Sequence, residues 1–256
     1  MKISVVIITY NEERNIERCL KSVKDIADEI VVVDSLSDDK TKLICERYNA
    51  HFLENKFPGH IEQKNFGMDK AAFNTILSLD ADEALSNTLR KSIQEIKNKD
   101  TGQTVAFSMN RKTNYCGQWI NHSGWYPDRK IRLWNRQYGR WGGINPHDKI
   151  VLSGEVKVIQ LTGDLLHYSF YSIEEHITQI NKFTTISAKA MKDRNKNIVF
   201  VKMLFSPLVR FIRDYVFKGG FRDGLFGFII CKNSAYSRFL RYAKLYHLLL
   251  NKKNKN

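Results

Sequence analysis

Apolar residues follow two rhythms along the first hundred positions. Continuous runs at Ile3–Ile8, Ile30–Val33 and Ile76–Leu79, with a weaker one at His51–Glu54, read as buried strands. Between them, apolar positions recur at helical spacing. Ile16, Cys19, Leu20 and Val23 follow Asn11, read as an N-cap ahead of Glu12 and Glu13. Leu43, Ile44 and Tyr48 follow Ser37, Asp38 and Asp39, and Leu89, Ile93 and Ile96 follow Ser86. Strands alternating with helices predict an α/β fold, a mostly parallel, Rossmann-like sheet flanked by helices with right-handed crossovers. From Thr104 to about Tyr168, short alternating segments (Lys130–Trp134, Lys149–Leu152, Glu155–Ile159) are separated by Gly, Asn and Pro. They predict antiparallel or mixed strands that extend the sheet. Beyond Ser172 the pattern is helical to the end, so the chain divides at about residue 170.

A hydrophobic share of 43% supports a proper core. The opening run, Ile3–Ile8, is too short for a signal peptide, and Asn11 and Glu12 stand where small cleavage-site residues belong, so no export is expected. Cys19, Cys45, Cys116 and Cys231 are scattered without CxxC spacing, which argues against a disulfide framework or zinc site and suits a reducing cytoplasm. The net charge of +14 is uneven. Residues 171–256 hold 17 Lys and Arg against five Asp and Glu, a balance of +12, and residues 1–170 hold only +2. Such a block attracts nucleic acid or anionic lipid.

In an open parallel sheet, ligands bind beyond the carboxyl ends of the strands. Three acidic clusters fall there: Thr9, Tyr10, Asn11 and Glu12 after the first strand; Asp34 with Asp38 and Asp39 after the second; and Asp80, Ala81, Asp82 and Glu83 after the strand at Ile76–Leu79. Residues two apart on a strand share a face, so Asp80 and Asp82 are expected to point together and to suit Mg2+ or Mn2+. The alternative is that Asp82 and Glu83 only favour a following helix N-terminus. There is no GxGxxG after the first strand and no GxxxxGK[ST], so bound phosphates need a metal ion rather than a glycine cradle. Asp34 is then free for a nucleobase or ribose, or is simply a turn residue.

The segments VVIITYNEERNI, VVVDSLSDD and LSLDADE, with QKN at Gln63–Asn65, GWYPDRKIRLW at Gly124–Trp134, PHD at Pro146–Asp148, LLHYSF around His167 and FRDGLFGF at Phe221–Phe228, resemble glycosyltransferase family 2, the inverting GT-A enzymes. The combination is similar to the bacterial lipopolysaccharide core glucosyltransferase subgroup. The resemblance implies a GT-A catalytic domain over 1–170, with a nucleotide-binding half (1–100) and an acceptor half (101–170), and a helical C-terminal region over 171–256. It places Thr9, Asn11, Glu12 and Asp34 at the nucleotide, Lys64 near the diphosphate, Asp80 at ribose or metal, and Asp82 as the main metal ligand. His147 and His167 are candidates for a further metal or phosphate contact. For the base that deprotonates the acceptor hydroxyl, the first choice is Asp128, set after Pro127 beside Trp125 and Tyr126, whose apolar faces raise a carboxylate's basicity; the alternative is an Asp that only pairs with Arg129 or Arg132. Asp148 is the second, at a place where related sequences often have Glu.

The implied reaction moves a sugar, glucose or another hexose, from a nucleotide diphosphate, UDP by preference, to a lipid-linked saccharide such as lipopolysaccharide inner core. A capsule, glycolipid or peptide acceptor is the alternative. A sugar nucleotidyltransferase is less consistent with TYNEERN, which lacks a glycine-rich loop, and a non-catalytic nucleotide or nucleic-acid binding module comes last. The stretch Ile198–Phe217 is apolar and aromatic but carries Lys202, Arg210, Arg213 and Asp214 and is divided by Pro207. Its uncharged runs are too short to span a bilayer and suit a helix lying in an anionic membrane surface. No zinc module or RNA-binding signature accompanies the charge, so no specific nucleic acid is expected. The expected location is the cytoplasm, peripheral to the inner membrane.

Overall fold

Backbone pairing between the apolar runs builds the predicted sheet. The computed structural model describes residues 1–98, 104–144, 147–191 and 196–253. The elements are β1 (Ile3–Thr9), α1 (Ile16–Val23), β2 (Glu29–Asp34), α2 (Thr41–Glu46), β3 (His51–Glu54), α3 (His60–Lys70), β4 (Thr75–Asp80), β5 (Glu83–Leu85) and α4 (Asn87–Lys97). They continue with β6 (Val105–Tyr115), β7 (Gln118–Trp119), β8 (Asp128–Asn135), β9 (Gly139–Ile144), β10 (His147–Leu152) and β11 (Lys157–Phe170). The last helices are α5 (Ile173–Ala190), α6 (Lys196–Ile212) and α7 (Gly224–Lys253).

β1 runs parallel between β2 and β4, and β3 adds parallel outside β2. β8 then pairs antiparallel with both β4 and β6, which is the mixed extension expected after Thr104. The sheet order is β3-β2-β1-β4-β8-β6-β11-β5, with β7 on β6 and β9–β10 a separate hairpin. The central strands are apolar on both faces because both are covered. Ile3, Val5, Ile7, Leu77 and Leu79 meet Ile16, Cys19, Leu20, Val23, Leu89 and Ile93 of α1 and α4. Val6, Val31, Val33 and Ile76 meet Met68 and Ala71 on the other side, with Trp134 and Trp141.

One helix start and one whole helix differ from the sequence reading. Asn11 has φ +52° and lies in a loop, and α1 begins only at Ile16, after a turn in which Asn15 N and Ile16 N donate to Glu12 O. α3 carries no apolar stripe. Its buried residues are Gln63, Lys64, Gly67 and Met68, so a periodicity scan passes over it. Ser86 does cap α4, accepting a hydrogen bond from Leu89 N at 3.2 Å.

The chain forms two compact units, 1–112 with 128–168, and 113–127 with 169–256. Residues 113–127, which the sequence reading assigned to the acceptor half, therefore group with the C-terminal helices. In this second unit Ser172 and Glu175 form a capping box that opens α5. α6 continues through Pro207 rather than dividing there, and a π-helical turn, Arg213–Phe217, follows it. Asp223 is buried and fixes the 121–123 segment. It accepts from Asn121 N at 3.1 Å and His122 N at 2.8 Å, and pairs with His122 Nδ1 at 2.9 Å. Among the described residues, no helix is long and apolar enough to cross a membrane.

Candidate active site

The loops that leave β1 and β2 are stitched together by side chains. Asn11 N donates to Ser37 Oγ (2.8 Å), Asp38 N to Asn11 Oδ1 (3.0 Å), Glu12 N to Thr41 Oγ1 (2.9 Å) and Glu13 N to Asp39 Oδ2 (2.9 Å). Thr9 is buried at the end of β1, and its hydroxyl has no hydrogen-bond partner among the described residues. Asp34 is buried too, and its two oxygens accept from Ser37 N (2.7 Å) and Ser37 Oγ (2.5 Å). It thus forms the turn, and each oxygen retains acceptor capacity. Glu12 accepts from Asn15 Nδ2 at 2.7 Å. Burial, opposed by that hydrogen bond and reinforced by Asp82, Asp39 and Asp80, pushes its carboxyl up to about 7.

β4 stops at Asp80, and Ala81 and Asp82 make a turn into β5. The alternation that was to aim Asp80 and Asp82 together does not operate, because the chain leaves extended geometry between them. Asp80 sits 3.0 Å from Lys64 Nζ and 3.3 Å from Arg132 Nη2. Burial alone would raise the Asp80 carboxyl, but the Lys64 and Arg132 charges outweigh it and hold the group well below the usual carboxylate range. Glu83 is fully buried against Arg132 at 2.7 Å. Lys64 also reaches Asp148 at 2.7 Å and lies over the Trp141 ring at 4.2 Å. The Arg132 contact with Asp80 and the place of Trp141 in the site escaped the sequence reading. Each is brought in by the pairing of β8 with β4 or by the β9–β10 hairpin, and a local string does not display such long-range packing.

Asp82 faces a different partner, His167 of β11, with Nε2 to Oδ2 at 3.1 Å. Burial would lower that imidazole, yet the Asp82 carboxylate prevails and raises it above its ordinary value. His147 opens β10, and its side chain lies outside the described residues. Among the described residues, no group of three or more His, Cys, Asp or Glu side chains is placed to hold an ion. A hard cation that shares its shell with substrate phosphates needs only one or two protein donors, and Asp82, joined by His167 once its imidazole is neutral, could supply them.

Asp128 is ion-paired, as the alternative to a base had it, but through partners other than Arg129 and Arg132. Its carboxylate is gripped by Arg111 through Nε (3.1 Å) and Nη2 (2.8 Å) and by Lys130 at 3.0 Å. Trp125, one of the two aromatic neighbours in sequence, meets Tyr115 and His176 edge to face and Phe170 at a tilt, within the second unit. Asp148, by contrast, lines a cavity of about 570 Å³ together with Lys64, Asp80, Arg111, Arg129, Lys130, Arg132, Trp141 and Lys149. Six cations, two carboxylates and an indole face give a lining whose chemistry suits a polyanion joined to a flat or sugar-like group.

Parallel strands with acidic loops at their carboxyl edge and a cationic cavity beside them suit a transferase of nucleotide-linked sugars. The chain belongs to glycosyltransferase family 2, whose sequence profile matches residues 4–152. An uncharacterized glycosyltransferase of Rickettsia typhi is 31% identical over 261 residues, covering 99% of this chain and 89% of the relative. The lipopolysaccharide core biosynthesis glycosyltransferase LpsC of Rhizobium meliloti is 31% identical over 252 residues, covering 96% and 92%. Among solved structures, S. aureus TarS aligns over 88% of this chain and 46% of its own length, with 17% identity and a TM-score of 0.49.

Proposed function

We propose that this enzyme transfers a hexose from a nucleoside diphosphate sugar, UDP-linked by preference, to a lipid-linked saccharide of the lipopolysaccharide core, with inversion at the anomeric carbon. The observation that carries the reading is the cationic cavity around Lys64, Arg132 and Trp141 beside the acidic strand ends. The full-length likeness to LpsC supports the acceptor class. Thr9, Asn11, Glu12 and Asp34 would hold the nucleoside, the unpartnered Thr9 hydroxyl being open to a ligand oxygen. Lys64 would face the diphosphate, with Asp80 keeping it charged and in place. Asp82 and His167 would hold Mn2+ or Mg2+, which when bound stabilises the departing diphosphate.

The acceptor hydroxyl attacks the anomeric carbon as the bond to the diphosphate breaks, and its proton passes to a carboxylate. We assign that base to Asp148, which lines the cavity, and give Asp128 the task of positioning Arg111 on the same wall. The enzyme would work at the cytoplasmic face of the inner membrane. α6 supports this with Phe205, Leu208 and Val209 exposed at 62%, 61% and 64% on a helix that also carries Lys202 and Arg210.

Calorimetric titration with UDP, ADP and GDP, with and without Mn2+, tests the site. Metal-dependent binding of one nucleotide, weakened at least about tenfold in Asp82→Ala, is expected. Binding that ignores both metal and the substitution would remove Asp82 from the site.

A further inference from the structure

The second unit contains a cleft of its own, about 190 Å³, lined by α5, α6 and α7 and open to solvent on one side. That is room for several waters or one compact anion. Its wall is unusual for the inside of a helical bundle. α7 presents Ser234, Ser237, Arg238 and Arg241, which recur at helical spacing on one face, where core-forming residues are the rule. α6 adds Arg210 and α5 adds His176.

The charges in this wall do not balance. Asp214 is the carboxylate that meets them, and it is shared between Arg210 and Arg213. Arg238 and Arg241 have no carboxylate partner among the described residues. Arg241 Nε is buried without a hydrogen-bond partner, although the guanidinium lies 4.9 Å from the Tyr242 ring. Burial pulls Arg210 down from its ordinary value, with repulsion from Arg213 and Arg238 set against the attraction of Asp214. Partly buried guanidinium groups gathered on one cleft, one of them with a buried Nε that has no partner, gain when an anion joins them.

His176 adds a donor rather than a charge. Its Nδ1 lies 3.0 Å from Tyr115 Oη and 3.3 Å from Asn233 Nδ2, and the amide can only donate, which leaves the ring proton on Nε2. Burial lowers its pKa to about 4, so the ring is neutral near pH 7.

We infer that this cleft is a binding site for a phosphate group, held by Arg210, Arg238 and Arg241 with Ser234 and Ser237. Guanidinium forks match phosphate oxygens in pairs, the hydroxyls reach the remaining oxygen, and a dianion matches the uncompensated charge. The inference is independent of the catalytic reading, because every residue it uses belongs to the second unit and sugar transfer is not its readout. The phosphate group can come from a lipid headgroup, from a phosphorylated saccharide or as free phosphate.

The full chain is titrated calorimetrically with inorganic phosphate in chloride buffer of fixed ionic strength. Flotation with phosphatidylcholine vesicles containing phosphatidic acid, or charge-matched phosphatidylglycerol, follows. Arg238→Gln/Arg241→Gln should weaken phosphate binding at least about tenfold. Lys189→Gln/Lys232→Gln removes the same charge from exposed positions outside the cleft and should leave it unchanged. Arg238→Lys/Arg241→Lys keeps the charge, guards against misfolding, and should give an intermediate loss. A matching loss of preference for phosphatidic acid assigns the site to a headgroup. Loss for inorganic phosphate with unchanged flotation assigns it to a soluble or saccharide phosphate. No phosphate binding by the native chain, or equal losses in the Arg and Lys pairs, overturns the inference.

Discussion

At the scale of single residues, the site is governed by carboxylates with different partners. Asp80 is surrounded by cations and Asp82 by an imidazole, whereas Glu12 has acids for neighbours and a carboxyl pushed from 4.5 up to about 7. An acid whose folded pKa exceeds its unfolded one binds more protons folded than unfolded. Stability from this group is therefore fully present below about 4.5 and is lost as pH rises through about 7. Glu12→Gln can still accept from Asn15 yet never ionises. It should be more stable than the native chain by roughly 1–3 kcal/mol at about pH 8, and no more stable at about pH 4. Urea denaturation at both pH values measures this, and a difference that does not change with pH would mean that Glu12 ionises as it does in water. The acids themselves were legible, since strand ends followed by Asp and Glu stand out in any α/β chain. Their partners were not, because Arg132 and Arg111 arrive from β8 and β6, 52 residues beyond Asp80 in the case of Arg132.

At the scale of elements, the fold was legible where burial leaves a period and obscure where it does not. β1, β2 and β4 announce themselves as apolar runs, and α4 through its Ser86 cap. α3 buries Gln63 and Lys64 for polar contacts and Gly67 for proximity, so its inward face looks like an outward one. A methyl added at Gly67 would stand 2.6 Å from Val6 Cγ1 and 2.8 Å from Val33 Cγ2. Short β-branched side chains anchored in the sheet have little room to yield, and overpacking of this kind costs about 1–3 kcal/mol. Gly67→Ala should lower the denaturation midpoint accordingly, even though alanine is the better helix former. Because Lys64 lies one turn away, its contacts with Asp80 and Asp148 should be disturbed as well. An unchanged midpoint would mean that α3 moves off β1 and β2 freely.

At the scale of the whole molecule, the distribution of charge and of uncovered apolar surface matters more than any single contact. Residues 171–256 carry +12, and the same stretch exposes Phe205, Leu208, Val209 and Phe217, the last at 80%. The sequence displayed the charge and the apolar character together, and only the folded helices reveal which of those side chains remain uncovered. The proposed membrane contact then has two components with different responses to salt. Attraction to anionic headgroups is screened as the Debye length shrinks from about 10 Å at 0.1 M to about 3 Å at 1 M, while apolar insertion persists. Vesicle flotation should show a preference for anionic over neutral vesicles at low salt that disappears at high salt, leaving an equal residual on both. Phe205→Ser/Leu208→Ser/Val209→Ser should remove that residual, by about tenfold or more, and keep the low-salt anionic preference, since it deletes buried area without charge. The substituted positions are already exposed, so the melting temperature should not fall. A triple variant that binds both vesicle types as the native chain does would show that α6 is not the inserting face, and would move the apolar contact to other exposed residues of the same stretch, such as Phe217.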